Sequence, residues 1–235
     1  MAFGNLYLFP TPLSECDIQL VLPKHNIELI STLKYFVGED AKITRRFLKL
    51  CNYPNIQEAE IVLLNEHTEV NSFDEFIKPA LDGHHLGLMS DAGCPGIADP
   101  GAEVVKAAHK KGIKVIPLVG PSSIVLTIMA SGFNGQNFAF NGYLPIDKGA
   151  RTKRIKELEN LAIKLKQAQY FIETPYRNTP LFQDLLSTLN PSTLLCLGIN
   201  LTDPDQQVVT KTVSEWKGVK DLNIHKTPVV FGIYF

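Results

Sequence analysis

Residues 85–101 read His85-Leu86-Gly87-Leu88-Met89-Ser90-Asp91-Ala92-Gly93-Cys94-Pro95-Gly96-Ile97-Ala98-Asp99-Pro100-Gly101. The apolar run at 86–89 has the length and composition of a buried strand. Residues 90–100 form a loop dense in Gly, Pro and Asp. From Gly101 to Gly112 the apolar positions 104, 105 and 108 keep helical spacing, with Asp99-Pro100 as a start signal and Gly112 as a stop. Residues 113–119 return as a strand. Strand, loop, helix, strand is the repeating unit of a parallel sheet, and open α/β sheets bind ligands at the carboxyl ends of their strands. A tight, capped connection would use the same residue types. Length favours a ligand loop, because a βα connection usually takes about 2–6 residues and this one is longer. It matches neither G-x-G-x-x-G nor G-x-x-x-x-G-K-[ST], which argues against a nicotinamide dehydrogenase and a P-loop enzyme.

Upstream, residues 5–9 read as a strand that ends at Pro10, since proline does not continue a central strand. This first strand is expected at the centre of the sheet, with its loop near residues 90–100. The spacing of Ile27, Ile30 and Leu33 predicts a helix that Pro23 starts or breaks. A strand at 35–37 follows. Then comes a helix entered through Glu39-Asp40, whose acids read as caps and whose Lys42, Arg45, Arg46 and Lys49 read as a solvated face. A strand at 61–64 precedes His67, and a helix is predicted over 73–81.

Downstream, Gly120-Pro121-Ser122-Ser123 leads into an apolar helix at 124–130, of the kind found at a domain junction or oligomer interface. The predicted organisation is therefore two α/β domains, 1–119 and 120–235. In the second, a helix from Arg151 starts with Lys148, Arg151, Lys153, Arg154 and Lys156. Positive charge at a helix N-terminus opposes the dipole, and an anionic ligand would offset that. Arg151 and Arg154 are accordingly candidate contacts for a phosphate backbone, with a solvated face as the plainer reading. His67, beyond a strand end, is a third candidate on the substrate side.

Of the 235 residues, 45% are hydrophobic and 20% charged, a balance that builds a core without disulfide or metal support. A net charge of −1 leaves no global basic field, so any nucleic-acid site must be a local patch. The four cysteines (Cys16, Cys51, Cys94, Cys196) include no C-x-x-C pair, so free thiols and no metal site are expected. Neither a signal peptide nor a membrane-spanning run is evident, so no membrane partner and a cytoplasmic location are expected.

A series of motifs follows in order: Leu6-Tyr-Leu-Phe-Pro-Thr-Pro12, Glu39-Asp40 with Lys42, Ser90-Asp-Ala-Gly-Cys-Pro95 with Asp99-Pro-Gly101, Gly120-Pro121, Gly142-Tyr-Leu-Pro145 with Lys148-Gly-Ala-Arg151, and Glu173-Thr-Pro-Tyr-Arg177. Together they resemble the ribosomal RNA small-subunit methyltransferase I family, within the tetrapyrrole (corrin/porphyrin) methylase superfamily. The resemblance covers essentially the whole chain. It implies two α/β domains with S-adenosylmethionine in an interdomain cleft, usually in a homodimer. It implies transfer of a methyl group to the 2′-hydroxyl of a cytidine in ribosomal RNA of the 30S subunit. It places the cofactor against Pro10, Asp91, Ala92, Gly93, Ile97, Ala98, Ser122, Ser123, Ile172, Gly198, Thr227 and Pro228. Glu173 and Lys148 become candidates for assisting proton loss, and Arg177 for orienting phosphate or stabilising charge. The chain departs from the family at Gly198-Ile-Asn-Leu-Thr-Asp-Pro-Asp-Gln-Gln207, where members typically carry Ala-Arg-Glu-Leu-Thr-Lys and a further glutamate. Two cations and two carboxylates are absent there. Alternatives are thus a methyltransferase with another acceptor (a tetrapyrrole-like small molecule or a protein) and a non-catalytic cofactor-binding protein.

Overall fold

A computed structural model describes residues 2–64 and 73–235. His67 lies outside the described residues. The chain divides into two compact units, Met1–Ser122 and Ser123–Phe235, and each is taken by itself.

The first unit is built on a five-stranded, all-parallel sheet in the order β3-β2-β4-β1-β5. Its strands are β1 (Leu6–Phe9), β2 (Tyr35–Gly38), β3 (Glu60–Leu63), β4 (Leu86–Met89) and β5 (Val115–Pro117). The central strand is β4, not β1. Every residue of β4 is buried, as expected of a strand covered on both faces, and β1 lies beside it. The helices are α1 (Lys24–Ile30), α2 (Ala41–Leu50), α3 (Lys78–Leu81) and α4 (Gly101–Lys110). Asp40 caps α2, accepting from the amides of Lys42 and Ile43. Pro23 starts α1 rather than breaking it. The single helix predicted over 73–81 is instead a 3₁₀ turn, Phe73–Glu75, followed by α3. Pro79 is the reason. Its ring would clash with a preceding carbonyl and it has no N–H, so it fits only the first turn of a fresh helix. Apolar residues fill both faces of the sheet, with Phe9, Phe36 and Met89 on one and Leu6, Val37 and Leu88 on the other.

The second unit carries a mixed sheet, β6-β7-β10-β8-β9. Its strands are β6 (Phe138–Tyr143), β7 (Ala168–Ile172), β8 (Leu194–Ile199), β9 (Gln207–Thr212) and β10 (Val229–Tyr234). Only β6 and β7 run parallel; β10 lies between β7 and β8, antiparallel to both. The helices are α5 (Ser123–Ser131), α6 (Lys148–Leu165), α7 (Asn178–Thr188) and α8 (Val213–Trp216). Asp147 caps α6 through the Ala150 amide, so the helix begins three residues before the expected Arg151. Helices α6, α7 and α8 bury Ile155, Leu158, Leu181, Leu185 and Trp216 against the strands. The opposite face is covered partly by α5.

Among the described residues, no helix is long and apolar enough to cross a membrane.

Candidate functional site

In unit 1 the parallel sheet brings the loops after β1, β2, β4 and β5 to one edge. Phe9 pairs with Met89, which sets Pro10 beside Ser90 and Asp91. Thr11 and Gly93 then exchange backbone hydrogen bonds of 2.9 and 3.1 Å. The Thr11 hydroxyl donates to the Ser90 carbonyl (3.2 Å), and the buried Ser90 hydroxyl donates to the Gly93 carbonyl (3.2 Å). The Asp91 amide donates to Glu39 (3.2 Å), which ties in the loop after β2. The loop after β5 packs from the other side: a Cβ on Gly120 would run into the ring of Pro10, and the Cys94 thiol donates to the Pro121 carbonyl. Pro10, Asp91, Ala92 and Gly93 therefore form one continuous edge of backbone.

The 90–100 loop is held open from within. Asp99 accepts from the Gly96 amide (2.8 Å) and the Gly101 amide (2.6 Å), pinning the loop to the start of α4. Gly93 and Gly96 have φ of +82°, and Ala98 adopts +60°, a left-handed conformation that costs a non-glycine residue about 1 kcal/mol or more. The result is that Asp91, Ala92, Ile97 and Ala98 are exposed along the loop. Asp91 is exposed as a residue, but partial desolvation of its carboxyl, and then the charge of Asp40, hold it above its ordinary pKa; burial does the same to Asp99 against the pull of its two amide donors. A pocket of about 610 Å³ opens beside this edge, lined by Thr11, Leu13, Arg46, Phe47, Asp91 and Ala92 among others. The face of α2 expected to be solvated thus contributes part of a pocket wall through Arg46. Ile43, Phe47 and Leu50, at helical spacing, mark an apolar face of α2 but not what it faces, and Arg46 is tied to Glu15 (2.5 Å).

In unit 2 three segments far apart in sequence meet at one sheet end. Val230 pairs with both Ile172 and Gly198, and Val229 with Ile199. This places Ile172, Gly198 and Thr227-Pro228 side by side. Gly198 has its own packing reason to lack a side chain, because a Cβ there would run into Thr127 of α5. The buried Glu173 follows β7. Its Oε1 accepts from the Thr174 amide (2.7 Å), the Thr174 hydroxyl (3.2 Å), and Arg177 Nε (3.0 Å) and Nη2 (2.8 Å). It is committed to holding Arg177. Arg177 also lies over the ring of Tyr176, 5.3 Å from its centroid, and Tyr176 is 58% exposed.

The basic start of α6 divides. Arg151 is buried, which corrects its reading as a surface cation free for an acceptor. Its Nε and Nη2 donate to Asp184 Oδ2 at 2.8 and 2.6 Å, and its Nη1 to the carbonyls of Ile146 (2.6 Å) and Pro145 (3.2 Å). A guanidinium one turn inside a helix reaches the neighbouring α7 once the two helices pack, and the sequence of α6 alone carries no sign of Asp184. Arg154 is half-buried and donates to Asn141 and Glu157. Lys148 is exposed, its Nζ 3.8 Å from Asp184.

No family model matches the chain. It is 32% identical over 212 residues, 90% of its length and 68% of the relative's, to the ribosomal RNA small subunit methyltransferase I of Bacillus subtilis. The chain belongs to the ribosomal RNA small subunit methyltransferase I family. Similar relatives of the same description include those of Halalkalibacterium halodurans, 34% identical over 79% of this chain, and Vibrio cholerae, 30% identical over 84%. The chain spans only 61% and 65% of the lengths of these two methyltransferases. Among solved structures, the methyltransferase CobJ superposes with a TM-score of 0.65 over 100% of this chain and 94% of its own, at 13% identity. The cobalt precorrin-4 methyltransferase CbiF gives 0.63 over 98% and 94%, also at 13%. These likenesses establish the fold, the tetrapyrrole methylase fold expected from the motifs. The chain is thus a methyltransferase-family member with two α/β units.

Proposed function

We propose that the protein is an S-adenosylmethionine-dependent methyltransferase that acts on a ribose 2′-hydroxyl of 30S ribosomal RNA. Membership in the methyltransferase I family carries this reading. The residues present fit the cofactor. Asp91 is an exposed carboxylate suited to an amine or sulfonium, Ala92 and Ala98 are small, and Gly93 lets the backbone approach closely. Within unit 1, Pro10, Ile97 and Ser122 are further candidate contacts; within unit 2, taken by itself, the candidates are Ser123, Ile172, Gly198, Thr227 and Pro228. When bound, the cofactor supplies an electrophilic methyl group. The protein's part is alignment of acceptor and methyl, a proximity effect, and acceptance of the hydroxyl proton.

Arg177 and Tyr176 suit the acceptor. A guanidinium over an aromatic ring presents a cation for phosphate and a face for a base. Glu173 holds Arg177 in place, and Lys148, exposed on α6, would assist proton loss as a cation that stabilises the developing alkoxide. Lys148 and Arg154 supply positive charge toward the RNA backbone. A homodimer in the cytoplasm belongs to the same proposal.

One observation favours a second reading, a methyltransferase with another acceptor. The loop at 200–206 closes on itself, Asn200 donating to Asp205 and the Thr202 amide to Gln206. It carries Asp203 where the family pattern has a lysine, and Ile199 stands just before it where the pattern has an arginine. The test is calorimetric titration with S-adenosylmethionine and S-adenosylhomocysteine, NAD serving as control, followed by transfer of labelled methyl to 30S subunits. Binding with 30S labelling is expected. Binding with label only in another fraction would move the acceptor, and no binding would overturn the proposal.

A further inference from the structure

We propose that Asn178 is a positioning residue that sets the Thr227 carbonyl at the cofactor edge of unit 2. The inference rests on the reading above, in which Thr227-Pro228 contacts S-adenosylmethionine.

Asn178 is fully buried at the start of α7. Its Nδ2 donates to the Thr227 carbonyl at 2.6 Å across 49 residues of sequence. Its Oδ1 is buried and finds no hydrogen-bond partner among the described residues. This asymmetry fixes the orientation of the amide, because flipping it would set two oxygens against each other and strand the NH₂ group. Burial of an unpartnered oxygen is unfavourable, and an apolar side chain of the same size would avoid it. The one contact that an apolar residue could not replace is the bond to Thr227.

The segment so held needs holding. Lys226, just before Thr227, has φ of +58°, a conformation that a lysine leaves readily when untethered. Two backbone bonds brace its flanks: the Lys226 amide donates to the Pro175 carbonyl (3.0 Å), and the Asn200 amide to the Pro228 carbonyl (3.1 Å). Asn178 closes the gap between them. The three bonds tie residues 226–228 to Pro175 in the turn carrying Tyr176 and Arg177, to the start of α7 and to the end of β8. Cofactor edge and acceptor-side turn are thereby one framework, with Asn178 as its side-chain pin.

The experiment compares the parent protein with Asn178→Leu, which keeps volume and discards both polar atoms, and Asn178→Asp, which keeps shape but turns an oxygen toward the Thr227 carbonyl. Affinity for S-adenosylhomocysteine is read by calorimetry, urea stability by Trp216 fluorescence, and deuterium uptake by mass spectrometry of peptides spanning 224–228. The Leu variant is expected to fold, to bind about tenfold more weakly, and to exchange faster at 224–228. The Asp variant is expected to bind more weakly still. A structural role alone would move the urea midpoint and leave affinity per folded molecule unchanged. Affinity within twofold of parent in a folded variant overturns the proposal, as does unchanged uptake at 224–228. If the parent binds no S-adenosylhomocysteine, the cofactor reading fails first and takes this inference with it; the variants then have nothing to be compared against in affinity, and the uptake data report only on the tether.

Discussion

Replacing Arg151 by methionine should destabilise unit 2 heavily and do nothing specific to an acceptor. The side chains of Arg151 and Asp184 are 10% and 9% exposed, and both bonds between them fall on one carboxylate oxygen. Methionine keeps much of the apolar stem and removes the guanidinium. That leaves Asp184 and the carbonyls of Pro145 and Ile146 without their donor. Breaking a buried pair from one side costs about 3–5 kcal/mol. Lys148, with Nζ 3.8 Å from Asp184 and its side chain 80% exposed, can move closer and return about 1 kcal/mol. A net loss of about 3 kcal/mol is expected. The protein's single tryptophan, Trp216, is the natural probe. It lies in the same unit, donates to the Leu195 carbonyl at 2.8 Å and meets Phe182 edge-on at 5.5 Å. With a slope of about 1.5 kcal/mol per molar urea, its fluorescence midpoint should fall by about 2 M. Arg151→Met/Asp184→Leu, which replaces the whole pair by apolar groups, should recover most of that loss. A single variant losing less than about 1 kcal/mol, or a double variant as unstable as the two single losses added, would refute the assignment of Arg151 to the core.

Gly198→Ala should destabilise unit 2 by about 1–3 kcal/mol through overpacking, because its Cβ meets Thr127. Adding Thr127→Ala removes the hydroxyl and leaves Thr127 Cβ at 3.1 Å, so part of the loss should return; equal urea midpoints for Gly198→Ala and the parent would show that helix packing does not require the glycine. Asp91→Asn tests the loop's electrostatics. Because the native carboxyl sits above its ordinary value of 3.8, the folded state keeps its proton where the unfolded chain has lost it. Stability from this group is therefore greatest at low pH, falls as pH rises past that value, and levels off above the native pKa. The melting temperature of the variant relative to parent should rise over the same window and then stay constant; a difference that shrinks with rising pH would contradict the raised pKa of the carboxyl.

The strands and most helices were legible because their signals are local. The run at 86–89, the stops at Pro10 and Gly112 and the cap at Asp40 each act within a few residues. Pro79 is a local signal as well: its backbone geometry overrides the apolar spacing of 73–81 and splits that stretch into a 3₁₀ turn and α3. The loop at 90–100 could be picked out as a candidate site from its length and residue types. The pocket wall on α2 could not, since Ile43, Phe47 and Leu50 look the same whether they face a core or a cavity.

What the sequence determined by itself was the alternation of strand, loop and helix, the position of the Gly/Pro-rich loop after a buried strand, and, through the order of its motifs, the family. Tertiary structure alone decided which residues act together. It inserted the last strand, β10, between β7 and β8, which brought Ile172, Gly198 and Thr227 to one edge. It gave Arg151 a partner 33 positions away, and gave Gly198 a helix to accommodate. It also set the amide of Asn178 against a carbonyl 49 positions on. Backbone propensity and capping depend on neighbours along the chain. Burial, and the choice between a solvated and a paired charge, depend on neighbours in space, which exist only once the sheets have formed and the helices have packed on them.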